Sequence, residues 1–217
     1  MAFHDDQPVH HWGAPLEGAP GVVIMLHGRG ADARDTLGLA RAIDRPVLAH
    51  LAPDAAGHTW YPNTFMAPRE RNEPWLSSAL GLVEGLVTRL VNEKGVDVRR
   101  VVLIGFSQGA CLSSEFVLRH PRKYGGLVAF SGGLIGPAGT TWDDVGANFD
   151  GLPVFLGCSD VDPHIPKERV LETEAVYTRL GADVRRKLYP GMPHTINDDE
   201  IEEARAILDV ALSEAKG

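Results

Sequence analysis

The chain has 217 residues, of which 44% are hydrophobic and 23% charged, with a formal net charge of −8. That length accommodates one sizeable buried core, and the composition excludes disordered and fibrous classes. The acidic balance argues against nucleic acid or an anionic membrane as partner and points to a small neutral substrate.

The opening MAFHDDQPVHHWG has no basic segment leading into a long apolar run. No later stretch reaches transmembrane length, so a cytoplasmic protein without stable membrane insertion is expected. A single domain over residues 1–217 is expected, with 1–20 as an irregular N-terminal segment. Cys111 and Cys158 make neither a disulfide framework nor a CxxC pair and are expected to be free thiols.

The first clear element is the run Val22, Val23, Ile24, Met25, Leu26, short, rich in β-branched residues and bounded by Gly21 and Gly28, which predicts a strand buried on both faces. It ends in HGRG. Residues 46–51 predict a second strand. Over 76–93, Leu80, Val83, Leu86, Val87 and Leu90 recur at helical spacing, and Gly95 closes the helix. Further strands are predicted at 101–104, 126–131, 153–157 and 184–188. Between and after them, helices are expected at 108–119, stopped by Pro121, at 167–180, ended by Gly181, and at 198–214, whose first turn carries acidic residues suited to the helix dipole. Strands alternating with helices imply a mainly parallel sheet covered on both faces. The irregular stretches 54–73 and 132–151 both follow strands, where an open α/β sheet holds its ligand.

Gly105-Phe106-Ser107-Gln108-Gly109 matches G-x-S-x-G. The pattern alone is weak; its setting decides. It follows the strand VVLI and opens a helix, the strand-turn-helix arrangement that projects a nucleophilic serine out of a sheet. The bland alternative is that Ser107 merely caps the helix. A serine hydroxyl needs a base, and in this arrangement an acid and then a histidine follow it in the chain. His194, in GMPHT between the last strand and the last helix, is the expected base. Gly157 to His164 reads GCSDVDPH and offers two carboxylates. Asp162 is taken as the acid, with Asp160 as the alternative or as a loop residue satisfying backbone amides. His164 precedes the last strand and is the weaker base. Asp160, Asp162 and His164 also admit a reading as metal ligands, but no second histidine cluster supports it, and no metal is expected.

Charge developing on an ester carbonyl must be met by preorganised donors. The backbone N–H of Gln108, following the nucleophile at a helix N-terminus, is one. The backbone N–H of Arg29 in the HGRG turn is the second; otherwise HGRG is only a tight turn. Trp60, Tyr61, Phe65 and Met66 in one irregular loop, with Leu134 and Ile135 in the other, suggest an apolar acyl pocket, the competing account being that they pack the loops down. Exposed apolar loop residues would equally serve a homodimer interface. Between Ser131 and Pro153 the chain is too short for a large cap, so an accessible site for short or medium acyl esters is expected.

HGRG, GFSQGA, SDVDPHIP and GMPHT, in that order, resemble the phospholipase/carboxylesterase family of α/β-hydrolases, which includes acyl-protein thioesterases and lysophospholipases. WYPNTF…NEPWLSSAL is similar to its bacterial carboxylesterases. The resemblance covers residues 21–212 and implies the α/β-hydrolase fold, the triad Ser107, Asp162 and His194, an oxyanion hole at Arg29 and Gln108, and no cofactor. It supports Asp162 because the family acid precedes Pro and then an apolar-Pro pair. Ala31 departs from many relatives, which carry Asp there. The implied activity is a serine carboxylesterase, with an acyl thioesterase or lysophospholipase as runner-up and a non-catalytic binding protein of the same fold as the rival from another class.

Overall fold

The computed structural model describes residues 3–213. Its strands are β1 (Val9–Gly13), β2 (Val22–Leu26), β3 (Ala49–Pro53), β4 (Val101–Phe106), β5 (Gly126–Phe130), β6 (Pro153–Ser159) and β7 (Asp183–Tyr189). Its α-helices are α1 (Ala33–Ile43), α2 (Trp75–Thr88), α3 (Gln108–Arg119), α4 (Lys167–Arg179) and α5 (Asp198–Ser213). The strands form one sheet in the order β1-β3-β2-β4-β5-β6-β7. β2 to β7 run parallel, and β1 pairs antiparallel with β3 at the edge.

The apolar runs are continuous because both faces of the sheet are covered. Val22, Ile24 and Leu26 point into a core shared with α2, α3 and α4, whereas Val23 and Met25 point into a second core under α1 and α5. All five β2 side chains are buried.

Two elements differ from the sequence expectation. The segment 1–20 is not irregular throughout, since 9–13 form β1, an edge strand whose half-exposed VHHWG carries no apolar run and is held by register with β3. The helix α1 is the other. Asp32 caps it, accepting from the N–H groups of Arg34 and Asp35 at 2.7 and 3.3 Å, while Asp35 Oδ2 accepts from the Asp32 N–H at 3.2 Å. Smaller shifts occur at boundaries. The strand expected at 46–51 begins at Ala49, because residues 45–48 make a turn in which Leu48 N–H donates to the Arg45 carbonyl. The helix expected over 76–93 is α-helical to Thr88 and closes in a wider turn over Arg89–Glu93. Glu214, the expected end of the last helix, lies outside the described residues. No helix among those described is long and apolar enough to cross a membrane.

Candidate active site

Ser107 stands between β4 and α3 with φ 54° and ψ −118°, a conformation that a non-glycine residue adopts only where its surroundings enforce it. The flanking glycines show why the turn is so tight. A Cβ on Gly109 would overlap the Leu26 carbonyl, and one on Gly105 would overlap the backbone of Gly109. The Ser107 side chain makes no cap to α3; it points instead at His194, whose Nε2 lies 2.9 Å from Ser107 Oγ.

The opposite ring atom of His194, Nδ1, lies 2.6 Å from Oδ2 of Asp162. The other Asp162 oxygen accepts from the backbone N–H of His164 at 2.8 Å and of Ile165 at 3.0 Å. Burial alone would raise this carboxyl, but the bonds from His194, His164 and Ile165 outweigh it and hold it below the ordinary carboxylate range. The imidazole of His194 contacts the ring of Phe106 in a tilted arrangement and that of His164 edge-on, each centroid 4.9 Å away. Asp160 faces elsewhere. Its Oδ1 accepts from the Gly191 N–H at 2.8 Å, tying the β6 loop to the loop that carries His194. The two carboxylates therefore do not converge with His164 as a ligand set.

The HGRG turn packs directly on the serine. A Cβ on Gly28 would meet Phe106 Cδ1 at 3.3 Å and Ser107 Cβ at 3.4 Å, and Gly30 takes φ 78°. His27 is buried, which lowers its basicity. Its Nε2 accepts from the Ala55 N–H at 3.0 Å, so Nδ1 carries the proton given to the Gly28 carbonyl at 2.7 Å and the ring is neutral. Among the described residues, the backbone N–H groups of Arg29 and Gln108 donate to no carbonyl or side chain. Both stay available to a ligand beside Ser107.

A cleft of about 500 Å³ opens over these groups, with Tyr61, Phe65, Phe106, Cys111, His164 and Ile165 among its walls. Tyr61 and Phe65 are thus where the sequence suggested. Trp60, Leu134 and Ile135 are not; all three are fully buried and line no part of the cleft. Trp60 Nε1–H donates to the His27 carbonyl at 2.8 Å and holds the HGRG turn. Leu134 and Ile135 belong to the core, their N–H groups given to Thr173 Oγ1 and Glu115 Oε2 at 3.0 and 3.1 Å. Met66 packs against the same core. Loop aromatics and aliphatics are drawn inward wherever a core is within reach, so composition alone did not separate wall from filling. The sequence reading did not include Phe106, Cys111, His164 and Ile165 as wall residues; Phe106 stands directly before Ser107 and Ile165 three residues after Asp162, so proximity to the triad was a signal that was present.

Beneath that wall, the buried Arg169 donates to the carbonyls of Leu134, Gly136 and Pro137 at 2.7, 2.8 and 3.1 Å, and its guanidinium carbon lies over the rings of Phe65 and Trp142, 5.8 and 5.1 Å from their centroids. The buried Glu115 takes Arg69, Arg119 and the Ile135 N–H. This ionic layer anchors the loop after β5 and backs Phe65.

Comparison with known proteins gives three findings. A family model described as phospholipase/carboxylesterase matches residues 14–212. The chain is 30% identical over 139 residues to acyl-protein thioesterase 1 of Saccharomyces cerevisiae, a match covering 63% of this chain and 60% of that protein, so it spans only about three fifths of that relative's length. The crystal structure of a phospholipase/carboxylesterase from Dyadobacter fermentans superposes with a TM-score of 0.90 at 40% identity, covering 96% of this chain and 99% of the other.

Proposed function

The chain belongs to the phospholipase/carboxylesterase family of α/β-hydrolases, and from that premise we propose that it is a serine carboxylesterase cleaving short- to medium-chain carboxylic esters through an acyl-enzyme on Ser107. The observation that carries this reading is the unbroken chain Ser107 Oγ, His194, Asp162, with steps of 2.9 and 2.6 Å.

In the proposed reaction, His194 Nε2 takes the Ser107 proton as Oγ attacks the ester carbonyl. Asp162 holds the tautomer with the proton on Nδ1 and stabilises the imidazolium that forms. The tetrahedral oxyanion is met by the N–H groups of Arg29 and Gln108, the latter at the N-terminus of α3. His194 then returns its proton to the departing alcohol, and water repeats the cycle to release the acid. No group beyond this chain's own residues is needed for these steps. A cleft of about 500 Å³ without a helical cap suits a short or medium acyl group.

Thioester cleavage is the second reading, because the S. cerevisiae relative is named an acyl-protein thioesterase and the same acyl-enzyme serves either leaving group. The net charge of −8 and two free, buried cysteines support a cytoplasmic enzyme without a nucleic-acid partner. The test is hydrolysis of p-nitrophenyl acetate, butyrate and octanoate, with a matched acyl-CoA and a lysophospholipid, by the wild type and by Ser107→Ala, folding being verified by circular dichroism. Turnover lost only in the variant supports the serine mechanism, and the substrate ranking separates ester from thioester and lysophospholipid. Inert wild type on every probe favours a binding protein instead.

A further inference from the structure

The two oxyanion donors come from segments with no covalent link near the site, Arg29 from the turn after β2 and Gln108 from the first residue of α3. Preorganised donors stabilise a transition state only if their separation is held to a few tenths of an ångström, and a misplacement of about 1 Å costs on the order of 100-fold in rate. Something has to set that spacing.

The side chains of the same two residues converge on one atom. The Tyr61 carbonyl oxygen accepts from Arg29 Nη2 at 2.9 Å and from Gln108 Nε2 at 2.8 Å, with Thr59 Oγ1 as a third donor at 3.0 Å. Gln108 is buried, and both ends of its amide are used, since Oε1 accepts from the Trp60 N–H at 3.0 Å. Its orientation is therefore fixed by an obligate acceptor on one side and an obligate donor on the other. Arg29 reaches two further carbonyls, Pro62 at 3.0 Å and Asn63 at 2.7 Å. It makes no ion pair among the described residues, so its guanidinium serves as a planar fork on neutral acceptors, a role set by geometry rather than charge.

We propose that segment 59–63 is a strut that registers the two halves of the oxyanion hole, with the side chains of Gln108 and Arg29 as positioning residues acting through the Tyr61 carbonyl. This rests on the serine-esterase reading above. Because Tyr61 and Asn63 also line the cleft, the strut couples the substrate wall to the site of developing charge.

The experiment compares wild type with Gln108→Met and Arg29→Met, which keep both backbone N–H groups and remove the bonds to Tyr61. Steady-state hydrolysis of p-nitrophenyl butyrate is measured alongside the affinity for butylboronic acid, whose boron accepts Ser107 Oγ to form a tetrahedral adduct. In each folded variant kcat should fall about 10- to 100-fold with KM within about threefold, and boronate affinity should fall in step with kcat/KM. The double variant should lose less than the product of the single losses, since both act through one carbonyl. If Gln108→Met does not fold, Arg29→Met, at an exposed position, carries the test alone and should show the same loss of kcat. Unchanged kcat and boronate affinity, or a rise in KM alone, overturns the strut while leaving the esterase reading intact. A wild type without Ser107-dependent turnover overturns the esterase reading first and the strut's catalytic role with it.

Discussion

Oδ2 of Asp162 lies 2.6 Å from Nδ1 of His194, while its other oxygen is held by two backbone N–H groups of its own loop. A carboxylate bound this way orients the imidazole without taking its proton. Asp162→Asn should reduce kcat by about 10³- to 10⁴-fold with the fold retained, checked by burst and steady-state kinetics on a p-nitrophenyl ester. Because folding depresses the Asp162 pKa, its contribution to stability is present above the unfolded carboxyl value and is lost as pH falls through the folded one. The stability gap between wild type and Asp162→Asn should therefore be widest near neutrality and close below about pH 4 in urea titrations.

Glu200, in the first turn of α5, should give the opposite dependence. Its side chain is buried against Gly157 of β6, Oε2 accepts from the Asn197 N–H at 3.0 Å and Oε1 has no partner among the described residues. Burial pushes the carboxyl from an ordinary 4.5 up to about 7. The folded protein then holds a proton that the unfolded chain has already released, so stability declines as pH rises between those two values and levels off above them. Glu200→Gln should remove that slope and add roughly 1–3 kcal/mol at pH 8. Equal slopes for both proteins would show that Glu200 is not the group responsible.

Gly109 leaves no room for a methyl group, since a Cβ there meets the Leu26 and His27 carbonyls, which are backbone and cannot swing away. Gly109→Ala should cost about 3 kcal/mol or more and reduce esterase activity even in the folded fraction, because relief requires α3, and with it the Gln108 N–H, to move from β2. Thermal unfolding and kinetics on the soluble fraction test both parts.

Phe65 and the pair Leu134 and Ile135 should separate cleanly. Phe65 lines the cleft, so Phe65→Ala should shift the preference among acetate, butyrate and octanoate esters. Leu134→Ala should cost about 2–5 kcal/mol of stability and leave that profile as in the wild type. Arg169→Met should cost about 2–4 kcal/mol by orphaning three carbonyls, and should raise KM through the loss of the surface behind Phe65. A changed profile in Leu134→Ala with stability retained would return that residue to the acyl pocket.

What was legible in the sequence was whatever depends on neighbours along the chain. β2, β4, β5 and β6 are continuous apolar runs because a parallel strand covered on both faces has no polar side to show. The serine turn was readable because its tightness demands glycine at fixed offsets from Ser107, and His194 because it occupies the loop after the last strand; order along the chain narrowed the acid to Asp160 or Asp162 in the loop after β6. β1 and α1 escaped. The first is an edge strand whose only reason to be extended is its pairing with β3; the second is a short helix whose buried stripe of Ala33, Leu37, Ala40 and Ile43 is interrupted by charges and by Gly38.

The fate of individual loop side chains was decided only by tertiary structure. Trp60 and Tyr61 are adjacent and both aromatic, yet one braces the His27 carbonyl and the other lines the cleft. Asp160 and Asp162 are two residues apart, and distance to Gly191 and to His194 assigns them different partners. Such choices turn on which atoms approach across separations of tens of residues, where a single hydrogen bond or a buried face outweighs any local preference. Residue type and order along the chain record the chemistry that is possible; the packing of distant segments selects which atoms carry it out.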